Sequence, residues 1–540
     1  MNSSASARPT ALRAAVALVT IALAACGPGP AAQSPSAAPL TRVTPSPAPT
    51  TTATSTVAPT AAPAGVAWHW QQAVPSLTDG AGVAAIGPDG TVYVSEKGAA
   101  CGLALHAFDS AGRERSGWPY CVTGSSYAEF VAVDGGGTVY LQAGYPGGLA
   151  GIRPDGAVGA GWPRDYGYLV GVLDAGIVVG TPSENGISEL RAYDPEGRGI
   201  PGWPVRVPGE IHGAGDAHVA PDGSVAVLYL DPSIGRRLVT VIEPDGSTRA
   251  GWPVRVPAKM DGVSVQLEEV TSGGRIVVSA HEPWPDTFSA TVEHVLPSQI
   301  AVITPEGTIP AGWPVRFDRP LSAISEGPDG VLYAVAGNVV YSYRGQPPKE
   351  TWAGGPYDVI ALQRDGSPVP GWPVRLPDGM TPQRADSAGQ AAPWAQPPVV
   401  GDEGRVVVTT GRGAEERDGV VLLGPGGSID GIFRLPKGRE ISRGGWGTPG
   451  PPALAPVLGR GRVFLVISPG MGKADELWAL DTTGAAVPGW PLTVEGGGPM
   501  GLFSAPGGTL VVTTVREDPV TFDHTLLVLT ADPSATDAGG

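Results

Sequence analysis

The sequence predicts an all-β fold, a β-propeller of eight or nine four-stranded blades whose last blade is completed by the N-terminal strand. Three observations carry this. Glycine (80) and proline (58) are too frequent among 540 residues for long helices, while a 42% hydrophobic fraction still provides a packed core. A tight-turn marker, two small or acidic residues and then Gly ahead of a β-branched run, recurs nine times after residue 66. A second marker closes one unit after another: an apolar run, a D-x-x-G-like turn and Gly-Trp-Pro.

The first marker is plain in residues 88–94 (PDGTVYV), 135–140 (GGGTVY), 174–179 (DAGIVV) and 221–225 (PDGSV), and returns around Gly274, Gly330, Gly404, Gly461 and Gly508. Asp-Gly and Gly-Gly favour the positive φ that tight hairpin turns require. The second marker is plain in residues 192–207 (AYDPEGRGIPGWPVRV) and 479–491 (ALDTTGAAVPGWP). Its tryptophans are Trp118, Trp162, Trp203, Trp252, Trp313, Trp372 and Trp490, and one degenerate copy, residues 430–436 (DGIFRLP), sets Phe433 in the Trp position. Each unit therefore reads strand, tight turn, strand, loop, strand, tight turn, strand, as a propeller blade does. The tryptophan is expected between neighbouring blades, its ring covering apolar area and its N–H on a backbone carbonyl.

Closure is also legible. The last unit, residues 502–532, holds three strands and no Gly-Trp-Pro, while residues 70–75 (WQQAVP) align with 252–257 (WPVRVP). The N-terminal strand, with Trp70 as the eighth repeat tryptophan, then supplies the missing fourth strand and seals two open edges.

Ahead of the repeats, residues 1–13 carry Arg8, Arg13 and no acid, and an apolar run of 12 residues ends at Cys26. That run is too short to span a bilayer and has the length of a signal-peptide core. Residues 23–27 (LAACG) resemble the lipobox of bacterial lipoproteins. The resemblance implies a signal peptide over 1–25, acylation (palmitate included) of Cys26, and export to the extracytoplasmic side of a membrane. In a source with two membranes that includes the outer one. After Cys26, residues up to 65 are almost entirely Pro, Ala, Ser, Thr and Val with Arg42 as the only charge, so 26–65 reads as a lipidated cysteine and a linker that stays extended and unfolded. The propeller takes 66–535, and 536–540 is a flexible tail.

The repeat resembles that of quinoprotein (PQQ-like) propellers, whose blades carry A-x-D-x-x-T-G-x-x-x-W. Ala479, Asp481, Thr483, Gly484 and Trp490 come close, and Ala107, Asp109, Gly112 and Trp118 more loosely, but here the tryptophan stands inside Gly-Trp-Pro. The resemblance implies the fold over 66–535. Its enzyme members use bound quinone, calcium, an aspartate base and, for alcohols, vicinal cysteines. No cysteines are adjacent here, and the seven histidines form no H-x-H or H-E-x-x-H pattern. No P-loop, G-x-S-x-G or S-x-x-K occurs. Glu268 and Glu269 are adjacent, and on a regular strand they would point to opposite faces. The expectation is therefore no catalytic residue, no metal site and no cofactor.

The remaining cysteines, Cys101 and Cys121, flank a turn in the first blade and are expected to form a disulfide in an exported chain. The net charge of −16 comes without a basic stripe, which excludes nucleic-acid binding. Long excursions fall only in second-to-third-strand loops and blade-to-blade connections, which share one face of a propeller, and only in the C-terminal half, at 281–298, 344–357, 377–397, 411–418 and 437–456. They hold Trp284, Trp352, Trp394 and Trp446 with Arg384, Arg412 and Arg443. Loops on a rigid scaffold concentrate binding residues, and Trp and Arg are the usual anchors. The function expected first is an envelope lipoprotein binding a glycan or protein partner there. The alternatives are a scaffold similar to the propeller lipoprotein of outer-membrane β-barrel assembly, and a PQQ-dependent dehydrogenase.

Overall fold

The computed structural model describes residues 66–531, apart from 75–83, 100, 124, 126–127, 145–147, 165–166, 185–186, 212–213, 258–259, 261–263, 282–296, 338, 343–348, 353–355, 383–395, 402, 412–418, 437–438, 442–455, 460, 469–474, 495–497, 506–508 and 518–521. All belong to one compact unit, Ala38–Gly540. The expected signal peptide (1–25), Cys26, the expected linker up to 65 and residues 532–540 lie outside the described residues.

The described residues form nine antiparallel blade sheets, numbered here 1 to 9 along the chain. Seven have four strands, one has a fifth and one has three, and a separate two-stranded ribbon is inserted in blade 6. Blade 4 shows the plan: an inner strand Ala217–Val219, then Val225–Asp231, Arg236–Ile242 and an outer strand Val254–Arg255, paired in sequence order. We call these positions a to d from the inside outward. The a–b turns place Gly90, Gly137, Gly176, Gly223, Gly274, Gly330, Gly404 and Gly461 at positive φ, the conformation for which the marker selects glycine.

The last blade closes the ring. Its a, b and c strands, Gly498–Ala505, Thr509–Glu517 and Phe522–Ala531, are joined on the outside by Val66–Val74, with Val66 opposite Ala531 and Val74 opposite His524. Both ends of the folded chain thus share one sheet.

Neighbouring blades meet through apolar seams. Between blades 4 and 5, Leu228, Val239 and Val241 pack against Leu267, Ile276 and Val278, with buried Trp252 at the rim. Six of the seven Gly-Trp-Pro tryptophans donate their indole N–H to the c–d turn of the following blade: Trp118 to Pro154 O (3.2 Å), Trp162 to Pro195 O (3.0 Å), Trp203 to Pro244 O (3.0 Å), Trp252 to Pro305 O (3.2 Å), Trp313 to Arg364 O (3.1 Å) and Trp372 to Pro425 O (3.1 Å), while the buried Trp490 N–H finds no acceptor among the described residues. The Trp-Pro bond is cis at all seven corners. Backbones also touch directly across these seams. A Cβ on Gly117 would lie 2.2 Å from Asp155 O, and one on Gly156 would lie 2.3 Å from Gly117 O. Much of the glycine content is therefore a packing requirement between blades as well as a turn requirement.

Blade 7 corrects one sequence reading. In blade 3, Tyr193 bridges Gly199 and Leu190 pairs with Val205, so five residues including Trp203-Pro204 bulge between the two pairs. In blade 7, Leu423 pairs with Ile429 and Val420 with Phe433, leaving only three residues between. Phe433 therefore occupies the position of Val205, not that of Trp203. The Trp-Pro pair is deleted in blade 7, and its outer strand runs over Ile429–Arg434 with a bulge at Asp430.

Candidate functional site

Strand order decides which connections share an end of the ring. With a to d antiparallel, the b–c loops and the blade-to-blade connections leave one end, and the a–b and c–d turns the other. In blades 1, 3 and 4 the b–c connection is short, from Ala99 to Gly102, Glu184 to Ile187 and Asp231 to Arg236. In blades 5, 6 and 7 it runs from His281 to Ser298, Ala336 to Asp358 and Thr410 to Gly419. Two long blade-to-blade connections start from the same end, Arg375 to Val399 and Arg434 to Val457. All five predicted excursions are thus rooted at one end of blades 5 to 8.

That end is partly tied down. The excursion after blade 6 touches blade 7 where Pro382 bridges Thr410 and the Gly411 N–H donates to Thr381 O at 2.9 Å. The blade 6 excursion contains a ribbon, Val339–Ser342 against Lys349–Trp352, with Trp352 opposite Val339. Trp284, Trp394, Trp446, Arg384, Arg412 and Arg443 lie outside the described residues. Trp70 lies in the outer strand of the last blade, opposite Val528.

Two clusters of titratable groups escaped sequence reasoning. The first sits where blades 5 and 6 meet. The inner strand Ser264–Val270 carries a bulge at Glu268, because Leu267 pairs with Val278 and Glu269 with Val277. Alternation fails there, which corrects the expectation of opposite faces. Glu268 accepts the Ile324 N–H and Glu269 the Glu326 N–H, so both carboxyls reach the same neighbouring blade. Burial raises the Glu268 carboxyl against the hydrogen bonds from Ser279 and Ile324. Burial, reinforced by the Glu326 charge, pushes Glu269 up to about 7. Arg275 ties the seam, its Nη2 2.5 Å from Glu326 Oε1 and 2.7 Å from Gly330 O. The arrangement holds a proton near neutral pH at a joint between blades. On the neighbouring blade 4 inner strand, burial pushes His218 down.

The second cluster is in blade 1. The His106 ring lies between Glu96 (Nε2 to Oε2 2.5 Å) and Glu114 (Nδ1 to Oε1 2.7 Å) and stacks on Phe108. Burial alone would lower the imidazole, but hydrogen bonds to Glu114 and Glu96 outweigh it and hold it up at about 9. In the same blade Cys101 and Cys121 form a disulfide, Cα atoms 5.8 Å apart, joining the start of strand c to strand d. Among the described residues no group of three or more His, Cys, Asp or Glu is placed to hold a metal ion. No helix among them is long and apolar enough to cross a membrane.

No family model matches the chain. No curated protein matches it either. Among solved structures it is similar to a eukaryotic initiation factor (10% identity, 82% of this chain and 84% of that one, TM-score 0.40). It is also similar to a catalytically inactive virginiamycin B lyase from Staphylococcus aureus (10%, 85% and 98%, TM-score 0.31) and to regucalcin from Agrobacterium tumefaciens (13%, 51% and 85%, TM-score 0.25).

Proposed function

We propose that the chain is a cell-envelope lipoprotein whose propeller binds a glycan or an extended protein segment at the long-loop end of blades 5 to 8. The observation that carries this is asymmetry. Short connections serve blades 1, 3 and 4, and five long ones share one end of the opposite half, bringing four tryptophans and three arginines to it in sequence. A stiff ring beneath adaptable loops is the arrangement that binding proteins use. The membrane anchor rests on residues 23–27 and Cys26, with the Pro/Thr-rich stretch as tether.

This reading is preferred over a quinoprotein enzyme because the donor set does not match. Cys101 and Cys121 are bonded across a sequence separation of 20, so they are not a vicinal pair. The test is affinity capture from native envelope with the lipidated chain, wild type against the combined Trp284→Ala, Trp352→Ala, Trp394→Ala and Trp446→Ala variant. Capture is expected to disappear with the unfolding midpoint nearly unchanged. Retained capture, or binding that maps to the short-turn end, would overturn the assignment.

A further inference from the structure

We propose that the joint between blades 5 and 6 is a proton-controlled latch, tight while the carboxyls of Glu268 and Glu269 are neutral and loosened as they ionise. Its geometry is a reciprocal clasp. The bulge in Ser264–Val270 turns two consecutive glutamates toward blade 6, where Glu268 accepts the Ile324 N–H and Glu269 the Glu326 N–H. Glu326 reaches back into blade 5. Its Oε2 accepts the Ser272 N–H at 3.2 Å, and its Oε1 lies 2.5 Å from Arg275 Nη2. The side chains of Arg275 and Glu326 are only 12% and 7% exposed, so the heart of the clasp is withdrawn from water.

Charge counting makes the clasp titratable. Three carboxyls, Glu268, Glu269 and Glu326, meet one guanidinium, which is already committed to Glu326 and to the Gly330 carbonyl. With all three ionised, negative charge would stand uncompensated in a buried joint, and holding a proton costs less. The other elements packed on the bulged strand bring no further cation. From blade 4 come Asp216, at the end of the short 3-10 turn Ala214–Asp216, and His218, which burial pushes down so that it is neutral near pH 7. Burial and the Glu326 charge accordingly raise Glu269 to about 7.

A carboxyl is not needed merely to hold such a joint. Between blades 2 and 3 the same service comes from Gln142, whose side-chain oxygen accepts the Leu169 N–H of the next inner strand at 3.2 Å. An amide does not titrate, so glutamates in this role add sensitivity to pH. When blades 5 and 6 part, Glu269 returns toward its ordinary 4.5. A group raised in the closed state favours closure fully below about pH 4.5, and that support is lost as pH rises to 7. Both blades carry long b–c connections, His281 to Ser298 and Ala336 to Asp358, so the latch sets how firmly two loop roots are held together. Its consequence for capture of a partner rests on the function proposed above, whereas the latch itself is read without any partner.

The test is hydrogen exchange at the Ile324 and Glu326 amides of the full chain, wild type against Glu269→Gln, at matched pH so that chemical exchange cancels. The ratio of wild-type to variant opening is expected to rise at least about tenfold from pH 5 to pH 8. A second variant reads the cause independently. Glu326→Gln removes the charge beside Glu269, so its opening, followed at Ile324 against wild type, should level off at a lower pH. A wild-type to Glu269→Gln ratio that stays constant across this range overturns the latch, as does a Glu326→Gln plateau at the wild-type pH. Exchange that follows the expected course while capture by the lipidated chain ignores pH would uphold the latch and refute its hold on the long-loop end.

Discussion

Replacing Gly202 and Gly90 by alanine, each in turn, separates what glycine does inside a blade from what it does between blades. Both have positive φ, +88° at Gly202 and +78° at Gly90. Alanine in that conformation costs about 1 kcal/mol at either site. The surroundings differ. A Cβ on Gly90 meets nothing within 4 Å, whereas one on Gly202 would lie 1.7 Å from Asp245 O, a backbone atom in the next blade's c–d turn. That turn has to move by more than an ångström. Its Pro244 carbonyl accepts the Trp203 indole N–H at 3.0 Å, so displacement also loosens a hydrogen bond worth about 1 kcal/mol. Overpacking adds about 1 to 3 kcal/mol more. The expected losses are therefore about 1 kcal/mol for Gly90→Ala and about 3 kcal/mol or more for Gly202→Ala. Urea unfolding followed by tryptophan fluorescence, with the slope held common, reads the difference as a shift in midpoint. Equal midpoints would refute the claim that blades touch backbone to backbone at their corners.

Two further outcomes concern chemistry away from the seams. Cys26→Ser is expected to release the chain from membranes or stall its processing, and a variant still membrane-bound at mature size would sink the lipoprotein reading. His106, held near 9 against an ordinary 6.5, stabilises the fold fully below about pH 6.5 and loses that contribution as pH rises through 9. The ceiling is about 3 kcal/mol. His106→Gln should be the less stable protein at pH 6 and lose that disadvantage by pH 10, and parallel stability curves across this range would contradict the carboxylate clamp.

The blade plan was legible because its two markers are local. Turn glycines and corner tryptophans each announce themselves within a few residues, and ring closure showed in the missing fourth strand of the last unit. Blade 7 was misread because Gly427 to Phe433 has the same spacing as Gly197 to Trp203. The deciding signal lay two residues further on, since Gly427 reaches Pro436 over a distance two residues shorter than Gly197 to Pro208. The carboxyl pair at Glu268 and Glu269 was hidden for a different reason. A bulge is not written in the alternation pattern, and the groups it faces, Ile324 and Glu326, are more than fifty residues away in the chain. The shared end of the long loops was legible too, because the order strand, tight turn, strand, loop already puts second-to-third-strand loops and blade-to-blade connections at one end of a propeller.

Loss of the Trp-Pro corner raises the question of what fills the seam between blades 7 and 8. The answer comes from the other side. Trp478, in strand c of blade 8, lies 5.1 Å from the Phe433 ring and packs with Val407, Val420 and Leu422 of blade 7. Its indole N–H donates to Glu476 Oε2 at 2.9 Å, and that carboxylate also receives Arg439, whose guanidinium lies 5.9 Å from the Trp478 ring. Arg405 spans the same seam, from Asp430 to the carbonyl of Thr482. Gly431 approaches Thr483 O so closely that a Cβ would lie 2.2 Å from it, as glycines do at the other corners. The seam is therefore rebuilt by blade 8. Phe433 and Gly431 turn toward blade 8, while Ile432 faces outward, with 39% of its surface exposed. A change at Ile432 should then leave the ring's stability nearly unchanged, whereas Phe433→Ala, which removes the ring against Trp478, should lower the urea midpoint.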